Sequence, residues 1–316
     1  MNLFKKDQNS DKKEPPSANP RRVSHPELQV INNNPKVSRP TAPQVQRPQQ
    51  QNVMIPDVRY TVAVASGKGG VGKSTVAVNL AIALSLRGAK VGLMDADAYG
   101  PSIPMMMGIK QQPQTSPDKK LIPLIRHNIK MMSIGFLVPD EQAMIWRGPM
   151  LHSAIRQFLG DVNWGELDYL VIDLPPGTGD VPLSLTQSIP LTGAVIVTTP
   201  QDVALIDVRR GVAMFDRMGV PILGVIENMS YFVCPHCGER TDIFKADGGK
   251  KTSEKLGVSF LGQIPIDPEI CTGGDLGVPI VASNPESPQS AAFRHAADLL
   301  VEQISNQGPQ NELKII

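Results

Sequence analysis

Cysteine is scarce in this chain, with three residues in 316. Three thiols cannot build a disulfide framework. With two of them in one C-x-x-C, they fit a reducing compartment. No apolar run approaches the roughly 20 residues needed to span a bilayer. An excess of charge is missing too, since the net value is +1. Glycine is absent from residues 1–56, where nine prolines and the runs Asn32 to Asn34 and Gln49 to Gln51 stand instead. Few aromatic or β-branched residues are present there to build a core, so residues 1–56 read as a disordered, partly extended tail. The tail lacks the apolar segment of a secretory signal. Its acidic residues and weak amphipathicity argue against a transit peptide, so the expected location is cytoplasmic.

The charge is unevenly spread. Residues 1–56 hold nine Lys/Arg against four Asp/Glu, which leaves the rest of the chain near −4. A slightly acidic core is a poor non-specific ligand for nucleic acid, and neither nucleic acid nor membrane is an expected partner. With 41% hydrophobic residues, the chain can form one sizeable core or at most two small ones.

What is present is an alternation of apolar runs with amphipathic segments. Residues 60–65, 90–95, 169–173, 194–198 and 222–227 read as buried strands. Residues 76–86, 150–159, 202–218 and 290–304 read as helices. Strands alternating with helices predict an α/β fold, a mostly parallel sheet covered on both faces, with ligand sites at the carboxyl ends of the strands. The folded part is expected over residues 57–306, with a frayed end at 307–316. Residues 105–146 give the least readable pattern, and their methionines read as gap-filling core.

Ser66-Gly67-Lys68-Gly69-Gly70-Val71-Gly72-Lys73-Ser74 matches the phosphate-binding pattern G-x-x-x-x-G-K-[ST], with a strand before it and a helix after. Glycines let successive N–H groups turn inward around phosphate oxygens, and the helix adds the positive end of its dipole. Gly67 through Thr75, that is Gly67, Lys68, Gly69, Gly70, Val71, Gly72, Lys73, Ser74 and Thr75, are therefore expected around a nucleotide. Lys73 is expected at the β- and γ-phosphates, and Ser74 on Mg2+. Lys68 is a second lysine, directly after the first glycine.

Four further candidates stand at or just after strand ends. Asp95 and Asp97 end the second core strand, where a carboxylate can position a water beside the γ-phosphate or simply cap a turn. Asp173 ends Leu170-Val171-Ile172-Asp173 and is expected to hold Mg2+ through water. The Gly/Pro-rich segment after it can respond to the γ-phosphate. Asn228 follows the strand at 222–227, and its amide offers both donor and acceptor to an adenine edge.

Cys234-Pro235-His236-Cys237-Gly238 places two thiols on one turn. Two such pairs from two subunits would supply four thiolates, which suit a [4Fe–4S] cluster or zinc. A thiol oxidoreductase motif and a structural zinc knuckle are the other readings. Polar residues after Cys237 weigh against the first of these. Cys271 reads most simply as a buried or loop thiol, and His236 as a solvated spacer.

The lysine pair of the loop, the segment Asp95-Ala96-Asp97-Ala98-Tyr99-Gly100-Pro101-Ser102-Ile103-Pro104, Trp146 to Met150, residues 173–180 and the cysteine knuckle occur in one order. Together they resemble the Mrp (ApbC) family of P-loop iron–sulfur carrier proteins, from about Val58 to Ile304. The loop alone is shared with MinD, ParA and the nitrogenase iron protein. The resemblance implies a P-loop NTPase fold and a homodimeric ATPase with its nucleotides at the subunit interface. Lys68 would reach the partner's phosphates, Asp97 would help place the attacking water, and Asn228 would contact adenine with the loop carrying Asp267 nearby. Cys234 and Cys237 would bridge a labile [4Fe–4S] cluster, received from a cluster-assembly scaffold and handed to apo-proteins. Many bacterial relatives carry a small folded N-terminal domain, for which this tail offers no core. A positioning ATPase of the MinD/ParA kind and a zinc-stapled regulatory ATPase are the competing readings.

Overall fold

The structure is a computed structural model that describes residues 55–137, 148–177 and 179–307. Residues 1–54 of the expected tail, Trp146, Arg147, Thr178 and the segment beyond 307 lie outside these. In chain order the elements are β1 (Val58–Ala65), α1 (Lys73–Leu86), β2 (Val91–Asp95), α2 (Ile103–Met106), β3 (Leu124–Arg126), β4 (Ile129–Ser133), a 3-10 turn (Ile134–Leu137), α3 (Gly148–Gly160), β5 (Leu167–Asp173) and α4 (Asp180–Ser188). Then come β6 (Gly193–Thr198), α5 (Asp202–Arg217), β7 (Ile222–Glu227), β8 (Phe232–Val233), β9 (Arg240–Thr241), α6 (Gly248–Leu256), β10 (Phe260–Gln263), α7 (Pro268–Leu276), α8 (Ile280–Ser283) and α9 (Pro288–Asn306).

Eight strands form a sheet in the order β10-β7-β6-β1-β5-β2-β4-β3. Every neighbouring pair is parallel except the β3–β4 hairpin. Along β1, Val62 and Val64 enter the core under α1, α8 and α9, whereas Ala63 and Ala65 enter the core under α3 and α4. This is the two-residue period of a strand, run between two helical layers. Helix α1 is apolar nearly all round because it lies between the sheet and α8 and α9, and Val76 through Ser85 are buried. Helix α9 buries Phe293, Ala296, Ala297, Leu300 and Ile304 along one stripe. Its start is capped by Ser287, whose hydroxyl accepts the Ser290 N–H at 3.1 Å.

The segment with the weakest sequence pattern contains β3 and β4. Strand β4 joins the sheet beside β2, with Ser133 opposite Asp95. Met107, Met131 and Met132 fill core as expected, but Met105 is exposed at the surface of α2. Ile55, assigned to the tail by composition, is buried and accepts a hydrogen bond from Val58 N–H. Among the described residues, no helix is long and apolar enough to cross a membrane.

The parallel order brings the carboxyl ends of β1, β2, β5, β6 and β7 to one edge of the sheet. In register, Asp95 stands opposite Asp173, and Asp173 opposite Val64.

Candidate functional site

Ser66 through Gly72 leave the end of β1 and turn into α1. Gly72 is the residue before the helix and has φ +77°, a left-handed conformation open to glycine at little cost. A Cβ there would also lie 2.2 Å from the Asn228 side-chain nitrogen. Gly67 is required for space: a Cβ would lie 2.2 Å from Cβ of Asp207, on α5. The loop is thus gripped between α5 on one side and the end of β7 on the other.

The loop lysine and the strand-end carboxylates form one buried cluster. Lys73 Nζ lies 2.7 Å from Asp173 Oδ1 and 3.6 Å from Asp97 Oδ2. Ser74 Oγ donates to the other oxygen of Asp173 at 2.6 Å. Asp173 is fully buried, and burial pushes its carboxyl above the usual range, opposed by the charge and hydrogen bond of Lys73. Asp95 is equally buried. Burial, then the neighbouring Asp173, push its carboxyl up to about 7, against the Ser133 hydrogen bond. Asp95 Oδ1 accepts the backbone N–H of Asp97 at 3.1 Å, and Oδ2 accepts Ser133 Oγ at 2.8 Å. Asp95 therefore fixes the backbone that carries Asp97.

Of this cluster, Lys73, Ser74 and Asp97 line a cavity of about 200 Å³, together with Lys68, Gly69 and Pro176 among others, while Asp95 and Asp173 lie buried behind it. Thr75 lies on its wall as well. The side chain of Lys68 makes no hydrogen bond or ion pair with the described residues. The Gly/Pro segment after β5 is tied back to the loop by Gly177 N–H donating to Ser66 O at 2.8 Å. A larger cavity of about 260 Å³, with Arg59, Tyr60 and Tyr169 in its wall, includes no residue of the phosphate loop.

Ser74 and Asp173 present a hydroxyl and a carboxylate side by side. That is a hard-oxygen pair of the kind Mg2+ accepts, so the residues fit that ion. Asn228 is buried, and its amide nitrogen donates to the carbonyl of Val71 at 2.8 Å. In this structure its donor serves the phosphate loop. Asp267 caps α7, accepting Glu269 N–H at 2.7 Å and a hydrogen bond from Gln289. The strip before it runs beside the residues after β7: Ile264 N–H donates to Glu227 O, and Ile266 N–H to Tyr231 O.

The cysteine pair sits on a small hairpin formed by β8 and β9. The turn closes through Cys234 N–H to Glu239 O at 2.9 Å and Gly238 N–H to Cys234 O at 2.8 Å. Both thiols are free; Cys237 is exposed and Cys234 half-buried. The backbone N–H groups of Cys237 and His236 point at the Cys234 sulfur and hold its thiol below the ordinary value. His236 is exposed. Among the described residues, no group of three or more His, Cys, Asp or Glu is disposed to hold a metal ion. One described chain therefore offers this turn two thiols and no third ligand. Cys271 is neither buried nor in a loop, as the sequence had implied. It is exposed on α7, because that helix buries none of its residues.

Sequence reasoning missed Asp95's grip on Asp97 and the carboxylate of Glu227. Glu227 ends its strand just as Asp95 and Asp173 end theirs, and that position was the available signal.

Known proteins are similar to this chain in sequence and fold. Residues 57–301 match the family described as ParA: NUBPL iron-transfer P-loop NTPase. A Synechocystis sp. protein named iron-sulfur cluster carrier protein is 52% identical over 275 residues, covering 85% of this chain and 77% of its own length. The solved structure of a nucleotide-binding protein from Archaeoglobus fulgidus, in complex with ADP, superposes with a TM-score of 0.65 at 42% identity. It covers 75% of this chain and 93% of that one. The cell division ATPase MinD of Pyrococcus furiosus superposes at TM-score 0.59 and 24% identity, covering 77% and 99% of the two chains. That likeness concerns the fold alone.

Proposed function

The chain belongs to the ParA family of NUBPL iron-transfer P-loop NTPases, and on that premise we propose that it is an ATP-binding, ATP-hydrolysing iron–sulfur cluster carrier. Its cargo is a labile [4Fe–4S] cluster, bound by Cys234 and Cys237 of two subunits and handed to apo-proteins. The observation that carries this reading is the free thiol pair on a hairpin rooted beside Asn228, which itself holds the phosphate loop. A positioning ATPase of the MinD/ParA kind gives the thiol pair no task.

The nucleotide chemistry derives from the buried cluster. Phosphate oxygens entering the loop compete with Asp173 for Lys73, whose charge then neutralises the β- and γ-phosphates. Asp173 is left to Ser74 and to Mg2+, which when bound supplies charge neutralisation across the phosphates. Asp97, held by Asp95, orients the attacking water. Lys68, without a partner among the described residues, is free to reach the phosphates of a second subunit and stabilise charge that develops there. Each subunit contributes two thiolates, so a four-thiolate site is complete only in the dimer.

The test is anaerobic reconstitution with iron and sulfide, then iron, sulfide and zinc content per dimer. About four irons and four sulfides per dimer, lost in Cys234→Ser, are expected. Tightly held zinc without sulfide would replace the carrier with a zinc-stapled nucleotide switch.

A further inference from the structure

Glu227 is fully buried at the end of β7, one residue before Asn228. Three donors converge on its carboxylate. Ser230 Oγ reaches Oε1 at 2.5 Å, Gln263 Nε2 reaches the same oxygen at 3.1 Å, and the backbone N–H of Gly249 donates to Oε2. Gln263 also bonds Asp247 at 3.0 Å. Gly249 has no room for a side chain, since a Cβ would lie 2.9 Å from Glu227 Oε2.

These partners are not scattered. Ser230 is the entry to the segment that carries the cysteine hairpin. Gly249, in the first turn of α6, is its exit. The chain leaves the carboxylate at Ser230, passes through Cys234 and Cys237, and returns to the same carboxylate at Gly249. Between Asn228 and Ser230, Met229 has φ +53°, a strained conformation for a non-glycine residue. Such a turn persists where its neighbours are fixed. Here Asn228 N–H bonds Thr198 O and Ser230 N–H bonds Ile264 O, at 2.8 and 2.9 Å.

We propose that Glu227 is a positioning residue for the cysteine hairpin: one buried carboxylate clasps both roots of the 230–249 segment and sets where Cys234 and Cys237 stand. The proposal rests on the carrier reading above, because only a thiol site shared between subunits needs its two halves placed so closely. A carboxylate suits the task because it accepts without donating. Glutamine would turn an amide N–H2 toward at least one of the converging donors. Asn228 is held by other contacts, its backbone N–H on Thr198 O and its side-chain amide on Val71 O, and neither involves the Glu227 carboxylate.

The experiment compares the full chain with Glu227→Gln, Ser230→Ala and Cys234→Ser. Ser230→Ala removes only the entry contact and serves if Glu227→Gln folds poorly. Co2+ is titrated under anaerobic conditions and read by its thiolate charge-transfer absorption. MgADP affinity and hydrogen exchange are measured alongside. In Glu227→Gln, Co2+ affinity is expected to fall about tenfold or more, as for other supporting partners of metal ligands. Amides of residues 231–248 should exchange about tenfold faster while those of α1 do not change. MgADP affinity should stay as in the unaltered chain, which a general loosening of the fold would not allow. Unchanged Co2+ affinity and exchange in both clasp variants would overturn the proposal alone. No cobalt–thiolate band in the unaltered chain, or one that survives Cys234→Ser, would overturn the carrier reading and the proposal with it.

Discussion

Asn228 donates its side-chain amide to the carbonyl oxygen of Val71 at 2.8 Å, across 157 residues of sequence. The end of β7 thereby holds the phosphate loop from behind, at the glycine where α1 begins. Asn228→Ala leaves that buried carbonyl without its donor and should cost about 1–3 kcal/mol of stability. Urea unfolding measures it, and an unchanged midpoint would mean that the contact adds nothing.

Lys73 is the cation of the buried cluster, 2.7 Å from Asp173. Lys73→Ala removes the charge that phosphate oxygens would meet and should lower ATP turnover by about a hundredfold or more. Steady-state phosphate release reads this directly. Near-normal turnover would sink the phosphate-loop assignment.

Lys68 lines the same cavity without an ion pair to any described residue. Lys68→Ala should keep MgATP binding while slowing hydrolysis about tenfold to a hundredfold, the loss expected for a donor used mainly as charge develops. Binding is read with a fluorescent nucleotide and hydrolysis in single turnover. An unaffected rate would remove Lys68 from the reaction.

Stability should depend on pH through Asp95. Its carboxyl is raised from 3.8 to about 7 by burial first and by Asp173 second. The folded state therefore keeps a proton that the unfolded chain releases near its ordinary value. The resulting stability is fully present below the unfolded value and is lost as pH rises through the folded one. Between pH 6 and 8 the native state should lose about 1 kcal/mol on this account. Asp173, raised as well, acts in the same direction. Asp95→Asn keeps the acceptor for Asp97 N–H and should flatten the slope in calorimetric scans across this range. A slope that survives intact would belong to other groups.

The strands at 60–65, 90–95, 169–173, 194–198 and 222–227 were legible because each is a buried strand of a parallel sheet, apolar on both faces. The loop at 66–74 was legible because its glycine positions and its flanking strand and helix are local. β3 was not, since Leu124–Arg126 is short and mostly exposed at the edge of the sheet, and β4 was not, since Lys130 and Ser133 interrupt its short apolar run although it is mostly buried. The thiol pair was visible from spacing alone, but the exposed, helical setting of Cys271 was not, because one cysteine carries no periodicity.

What the sequence determined by itself was therefore whatever depends on neighbours along the chain: the glycine turn with its lysine between strand and helix, the carboxylates that end strands, the two thiols on one turn. Only the tertiary structure decided which of these meet. The strand order puts β5 between β1 and β2, which brings Asp173 against Lys73 and opposite Asp95. It also turns Glu227 from the end of one more apolar strand into the group on which both roots of the cysteine hairpin close. The physical reason is that hydrogen bonds and charges act over a few ångströms of space whatever the separation in sequence, and it is the packing of the sheet that sets those distances.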